Sequence, residues 1–318
     1  MQIGIGLSIG GASALSVGLP PLLVDDFEGA VAAISGREPN VGPDWSVTGA
    51  AASGVVAGGG QMYNATDVAG VYYSVSALQE QPKEIGCRFL MTDLYVAMRL
   101  GGTFEAGKLL AIQVLPSGVA DASYTQINYT TQAGDLTLSG VATAYATVIN
   151  ANAAMIAAGI TATAVGQDIQ LRATNSPRIR TVFATSPVTA STTNSFCPTL
   201  ACYPTGQNFL TGMVHFRLDA SGYPDWTVFN SSALTLSSIT RNHFKGMQID
   251  TEYTYRCVLD GEDISGGVWD SNGDAVCTVS GSDSRIPGWS GASAFWEGGD
   301  SRLRYKRAWA ARRANQTG

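Results

Sequence analysis

Along most of this chain, apolar and polar residues either alternate with a period of two or give way to short β-branched and aromatic runs. Both patterns belong to strands, whose successive side chains point to opposite faces. The plainest stretch is residues 213–279. Residues 213–218 lead into an Asp-Ala-Ser-Gly turn, and residues 223–230, 251–261 and 267–279 follow. Asp-Gly, Ser-Gly or Asn-Gly closes each run and supplies the backbone that tight hairpins require. The stretch predicts a meander of antiparallel strands.

Upstream, residues 22–28, 45–48, 55–57, 71–76, 86–91 and 95–100 have the same character, with turn signals at 58–60, 81–82 and 101–102. Many short strands without intervening helices predict a sandwich or barrel. The pattern then changes. After a strand at 109–115, the chain is rich in Ala and Thr to about residue 194. Residues 124–129 alternate as a strand. Val141, Tyr145, Val148, Ile149, Asn152 and Ile156 recur at the spacing of one helix face, with Ser139 placed to cap it and Gly159 to stop it. Residues 160–165 and 168–174 form a hairpin after it. The domain reading is an extended arm at 1–20, a discontinuous β-sandwich at 21–115 and 196–310, an inserted α+β module at 116–195 and a flexible tail at 311–318.

The arm alternates Ile3, Ile5, Leu7 and Ile9 with Gly and Ser. Its lack of a positive start and its glycines argue against a signal peptide or a membrane helix. It suits strand addition to a neighbouring subunit. Elsewhere no stretch is apolar enough to insert into a membrane.

Composition narrows the function. The 318 residues carry 14% charged side chains, a mean hydropathy of +0.08 and a net charge of −6. That balance excludes a general nucleic-acid partner, which needs a basic footprint. Near the C-terminus, Arg302, Arg304 and Lys306 alternate with Leu303 and Tyr305, as on the wet side of a strand. The five cysteines lack metal spacing and there are two histidines, so neither a metal nor another cofactor is expected. Cys257 and Cys277 lie in one predicted meander and are the candidates for a disulfide; buried free thiols are the competing reading.

The Asp25–Phe27 opening strand, Trp45, the 251–261 meander and the last strand at 302–309 together resemble the jelly-roll sandwiches of legume-lectin, laminin-G-like and glucanase domains. The insert, from Tyr129 through Gly134, Val141–Ala158 and Asp168–Thr174, resembles small modules of tailed-bacteriophage tail proteins, and the Gly/Ile/Ser-rich arm is similar to the starts of phage structural proteins. The resemblance implies a tail, fibre or decoration protein of a virion, assembled with copies of itself and other virion proteins and in contact with host polysaccharide. A stand-alone carbohydrate-binding or adhesion module is the alternative.

Catalysis is not expected. Jelly-roll glucanases place carboxylates two residues apart on one strand so that both face the cleft; here Thr254 stands two residues after Glu252, and Asp260 and Glu262 fall at a turn. Asp25, Asp26 and Glu28 read as solvated charges. Residues 270–274 start like a calcium loop but lack its later ligands and read as an Asn-Gly turn. Aromatic rings can stack on sugars. Of Trp226, Trp269, Trp289 and Trp296, Trp289 has the loop setting that favours exposure, and Trp226 has Tyr223 beside it. Trp289, Trp226 and Tyr223 are the glycan-contact candidates.

Overall fold

The computed structural model describes residues 20–49, 52–66, 72–93, 95–115, 124–173, 178–184, 188–192, 200–204, 213–218, 224–230, 232–234, 238–243, 247–284, 287, 293–298 and 302–312. The chain begins with β1 (Leu23–Asp25), β2 (Ala32–Ala33), β3 (Ser46–Gly49), β4 (Val55–Gly58), β5 (Gln61–Asn64), β6 (Tyr72–Ala77) and β7 (Glu84–Met91). The insert carries β8 (Tyr95–Gly102), β9 (Leu109–Leu115), β10 (Thr125–Thr130), α1 (Leu138–Ala151), α2 (Ala153–Ala157), β11 (Thr161–Val165), β12 (Asp168–Arg172), β13 (Arg178–Ala184) and β14 (Val188–Thr192). The chain returns through β15 (Leu200–Pro204), β16 (Met213–Leu218), β17 (Pro224–Asn230), β18 (Ser232–Leu234) and β19 (Ser238–His243). It ends with β20 (Tyr253–Asp260), β21 (Asp263–Asp270), β22 (Ala275–Ser282), β23 (Ser293–Gly298) and β24 (Leu303–Ala311).

Two antiparallel sheets make the body. One runs β19-β22-β21-β20-β7-β24-β5-β4-β2, with β1 also on β24; the other runs β18-β17-β16-β15-β23-β6-β3. The chain passes between them at β2–β3, β3–β4, β5–β6, β6–β7, β18–β19, β22–β23 and β23–β24, the criss-cross of a jelly-roll sandwich. Alternation explains the core. On β20, Tyr253, Tyr255, Cys257 and Leu259 are buried, while Thr254, Arg256 and Val258 face the other way and are only half-buried. Phe89, Tyr255, Val268, Cys277 and Tyr305 of the ten-stranded sheet share one apolar cluster with Trp45, Ala294 and Trp296 of the facing side. The mainly β sandwich with an α+β insert matches the sequence expectation.

One polar group is set into this core. Asp25 is fully buried, and its carboxylate accepts from Phe27 N (2.8 Å), Arg37 Nε (3.0 Å) and Nη2 (3.2 Å) and Trp45 Nε1 (2.8 Å). The expectation that Asp25 is a solvated charge is therefore corrected: β1 turns it inward beside Leu23, and four donors offset its desolvation.

Four other expectations change. First, the 213–279 run is not one meander: β16–β18 lie in the seven-stranded sheet and β19–β22 in the ten-stranded one. Second, β8 and β9 belong to the insert rather than the sandwich, because they pair with β12 and β14 and with β10 and β13. The core shows the same division, with one cluster ending its first run at Met91 and the other starting at Met98. Third, the helix cap is Thr137, whose side chain accepts from Gly140 N, instead of Ser139. Asn152 breaks the predicted helix in two, accepting from Ala154 N and Met155 N, and Ile156 is 63% exposed. Fourth, Cys257 and Cys277 are free, not disulfide-bonded. They sit on β20 and β22 with β21 between them. Two strand spacings, about 9–10 Å, exceed the Cα separation a disulfide spans.

Candidate functional site

Strand alternation leaves the outer face of the ten-stranded sheet as the best-defined surface for chemistry. Three pairings bring its polar side chains together. Arg88 of β7 stands directly opposite Arg307 of β24. The register shift at Lys306 puts Arg307 there, since without the extra residue it would fall on the core side. Thr254 lies beyond Arg88 and Trp269 beyond Thr254. Asp26 approaches both guanidiniums, at 3.8 Å from Arg88 and 3.6 Å from Arg307, while Glu252 holds Arg88 Nη1 at 3.3 Å. Arg88 and Glu252 are each 41% exposed and Asp26 36%, so this ladder meets solvent.

Two indoles lie on the same face, each over a glycine. Trp309 lies across Gly86, where an added Cβ would overlap its ring, and its Nε1 donates to Glu84 Oε1 at 2.9 Å. Trp309 and Glu84 are buried. Trp269 is half-buried; its Cη2 would stand 3.2 Å from a Cβ at Gly267, and the Arg256 guanidinium lies 5.3 Å from its ring centre. Gly86, Arg256 and Gly267 are neighbours across three strands. At the other side of the face, Arg304 stacks on half-buried Tyr63 at 3.9 Å. From Trp269 to Tyr63 is four strand spacings (β21, β20, β7, β24, β5), roughly 19 Å. The face offers what a sugar chain uses: flat rings for its apolar sides, with guanidiniums and carboxylates between them for its hydroxyls.

The predicted contacts fare differently. Trp289 and Tyr223 lie outside the described residues, as do Ile3, Ile5, Leu7 and Ile9. Trp226 is placed on β17, opposite Phe216, and its side chain is outside the description. Trp296 is a core residue: fully buried, 5.1 Å from Trp45 edge to face, with Nε1 donating to Gly86 O at 3.0 Å. Trp269 alone of the four tryptophans is described as partly open. Sequence reasoning missed Arg88, Arg256 and Arg307. The alternation of 253–259 would have turned Arg256 outward, but pairing Arg88 with Arg307 requires knowing that β7 and β24 are neighbours.

Among the described residues no group of three or more His, Cys, Asp and Glu side chains could hold a metal ion. At residues 270–274, Asp270 Oδ1 accepts from the backbone N–H of Asn272 and of Asp274, and Gly273 takes a φ of +83°. This oxygen closes the turn. Cys257 is fully buried, which pushes its thiol upward, with Glu84 adding to the shift. No helix among the described residues is long and apolar enough to cross a membrane.

No family model and no curated protein matches the chain. Among solved structures, lectin II from Ulex europaeus is similar at 8% identity and a TM-score of 0.30, over 91% of this chain and 97% of that one. Peanut lectin with a nine-residue peptide gives 10% identity and 0.28, over 89% and 97%. A beta-porphyranase from the human gut bacterium Bacteroides plebeius gives 9% and 0.29, over 91% and 89%. At these scores the two-sheet architecture rests on this chain's own strand pairing and core.

Proposed function

We propose that this protein is a carbohydrate-binding module that holds a glycan against the outer face of its ten-stranded sheet without cleaving it. The observation that carries the reading is Trp269, laid over Gly267 with Arg256 across its ring and the Glu252–Arg88–Asp26–Arg307 ladder beside it on an open face. A ring held in place before binding loses little freedom when a sugar stacks on it. The binding role without hydrolysis is supported by the carboxylates: Asp26 and Glu252 both address the same guanidinium, where hydrolysis needs two carboxyls facing each other across a bond. The test is retention of the pure protein on a panel of immobilised polysaccharides, beside Trp269→Ala. Retention lost in the variant, with its circular dichroism unchanged, supports the reading; equal retention removes this face from it.

The virion reading remains a second proposal. Its support is the alternating arm of Ile3, Ile5, Leu7 and Ile9 and the sparsely charged composition. Light scattering and electron microscopy of the full chain beside a deletion of residues 2–20 test it: assemblies that need the arm support it, and a monomer in both forms counts against it.

A further inference from the structure

We infer that the insert carries a second binding site, a recess on the outer side of its four-stranded sheet that takes neighbouring hydroxyls of an uncharged sugar. The site stands apart from the sandwich and does not rest on the reading of Trp269.

Strand alternation sends Ile169 and Leu171 of β12 into the core of the insert, so Asp168, Gln170 and Arg172 point to the other side. On β8, Arg99 stands opposite Asp168, Ala97 opposite Gln170 and Tyr95 opposite Arg172. Matched groups close both ends of this block. Arg99 Nε and Nη2 each donate to the Asp168 carboxylate at 2.8 Å. Arg172 Nη2 donates to Asp93 at 2.9 Å, and its guanidinium lies over the Tyr95 ring, which also receives Arg302.

The middle of the block is different. Ala97 is too short to reach across, and Ala97 and Gln170 are 0% and 9% exposed, although both lie on the side away from the core. Among the described residues nothing hydrogen-bonds the Gln170 side chain, and its amide is not sealed from solvent. An amide buried this far is costly unless something from solution completes it. Asn150, elsewhere in the insert, shows what such a group does with a partner: Oδ1 accepts from Ala162 N at 2.7 Å and Nδ2 donates to Ala162 O at 2.9 Å. Gln170 holds the same adjacent acceptor and donor toward the recess. Two neighbouring hydroxyls of a sugar ring match that pair, one donating to Oε1 and the other accepting from Nε2. On the remaining side, Thr163 of β11 is exposed opposite Gln170 and adds a further hydroxyl. From Asp168 to Arg172 the block is four residues, roughly 13 Å, long, the scale of a small saccharide. A charged ligand has no counterpart here, because Arg99 and Arg172 already have their carboxylates. An extended peptide finds no place to add a strand, because β12 lies between β11 and β8, and β8 between β12 and β14.

The probes are mannose, galactose and glucose, which between them present cis and trans neighbouring hydroxyls, with an end-blocked alanine tripeptide as the amide control. Binding is followed by nuclear magnetic resonance on the side-chain NH2 signal of Gln170, identified by its absence from Gln170→Leu. The expected result is a saturable shift of this signal by at least one of the sugars and none by the peptide. Affinity for that sugar should fall about tenfold in Gln170→Leu, as the loss of two hydrogen bonds implies. Ala97→Leu, which fills the recess, should abolish binding, and Trp269→Ala should leave it unchanged. Gln170→Leu leaves no unmet polar group, so its urea midpoint should hold or rise; a fall would show that the amide already serves the fold and would overturn the inference. A Gln170 signal that none of the three sugars moves in the parent protein overturns it whatever the variants do. A shift by the peptide equal to that by sugar overturns it by making the recess an amide site. Sugar binding that survives both Gln170→Leu and Ala97→Leu but is lost in Trp269→Ala overturns it and leaves the sandwich face as the glycan site.

Discussion

Trp309 lies across Gly86, and Gly86 also receives an indole from the other side: its carbonyl accepts from Trp296 Nε1 at 3.0 Å. The glycine is thus the slot in β7 that lets one tryptophan lie flat outside while another is anchored inside. Gly86→Ala puts a methyl group into the Trp309 ring and against Tyr255 O, and should cost about 1–3 kcal/mol, as overpacking does. Urea denaturation measures this. Combined with Trp309→Ala, it should cost less than the sum of the two single changes, because the ring clash is gone; strict additivity would show that Trp309 is not what the methyl meets.

Asp25 should dominate the stability of the N-terminal strand. Asp25→Ala strands the Arg37 guanidinium and the Trp45 Nε1 donor in and beside the core. Removing one partner of such a buried pair costs about 3–5 kcal/mol. Asp25→Asn keeps the shape and one acceptor oxygen and should cost less. Denaturation midpoints of the three proteins should fall in that order; an Asp25→Ala midpoint near that of the parent would remove Asp25 from this role.

Alkaline pH should weaken the fold through two groups. Burial raises the Tyr145 phenol well above its ordinary value of about 10, and its hydroxyl donates to Ile127 O at 2.7 Å. Burial, with Glu84 second, does the same to the Cys257 thiol. In both cases the neutral form is favoured in the folded state. Their stability is therefore fully present below the unfolded values and is lost as pH rises past about 8.5 for Cys257 and about 10 for Tyr145, by up to about 1.4 kcal/mol per pH unit for each group. Unfolding free energies measured from pH 8 to 11 should decline, and Tyr145→Phe should flatten the part above pH 10. In native protein at pH 8, Cys87, Cys257 and Cys277 should resist a thiol reagent and react on unfolding; rapid labelling of any of the three would contradict their burial.

Tyr95 should act as the pin between insert and sandwich. Its ring lies 3.6 Å from the Arg302 guanidinium and 4.6 Å from that of Arg172, and Arg172 is also held by Asp93 at 2.9 Å. Arg302 belongs to the sandwich chain and Arg172 to β12 of the insert, so one ring joins both. Tyr95→Ala should leave each core intact while loosening the joint. Limited proteolysis should then cut faster near residues 92–95, with little change in far-ultraviolet circular dichroism; an unchanged cleavage rate would show that the pin carries no load.

Much of the fold was legible in the residues, for physical reasons that also explain the gaps. The alternation in 253–260 and the 3.6-residue spacing of Val141, Tyr145 and Ile149 report a local period, and both elements formed. Partners are not local. Nothing in residues 213–234 says that they join a different sheet from 253–282, or that β8 pairs with β12 inside the insert instead of with β7. The candidate site suffers most from this. Trp269 stood out as a tryptophan, but the slots under the two indoles depend on contacts between distant strands: Trp309 reaches Glu84 across 225 residues. The register shift that turns Arg307 outward is likewise invisible in a sequence that alternates cleanly from Arg302 to Lys306. Arg302, which the alternation predicted on a wet strand face, is buried, with its guanidinium over the Tyr95 ring of the insert.

The central claim, that a glycan lies on the outer face of the ten-stranded sheet, is tested most directly by hydrogen exchange with mass spectrometry in the presence and absence of a soluble form of the polysaccharide that the immobilised panel retains. The account predicts slower exchange in peptides covering residues 252–256 and 267–270 and in those carrying Arg88 and Arg307, with no change in β16–β18 of the other sheet. Slowing confined to β16–β18 or to the insert, with the ten-stranded sheet unaffected, would contradict it.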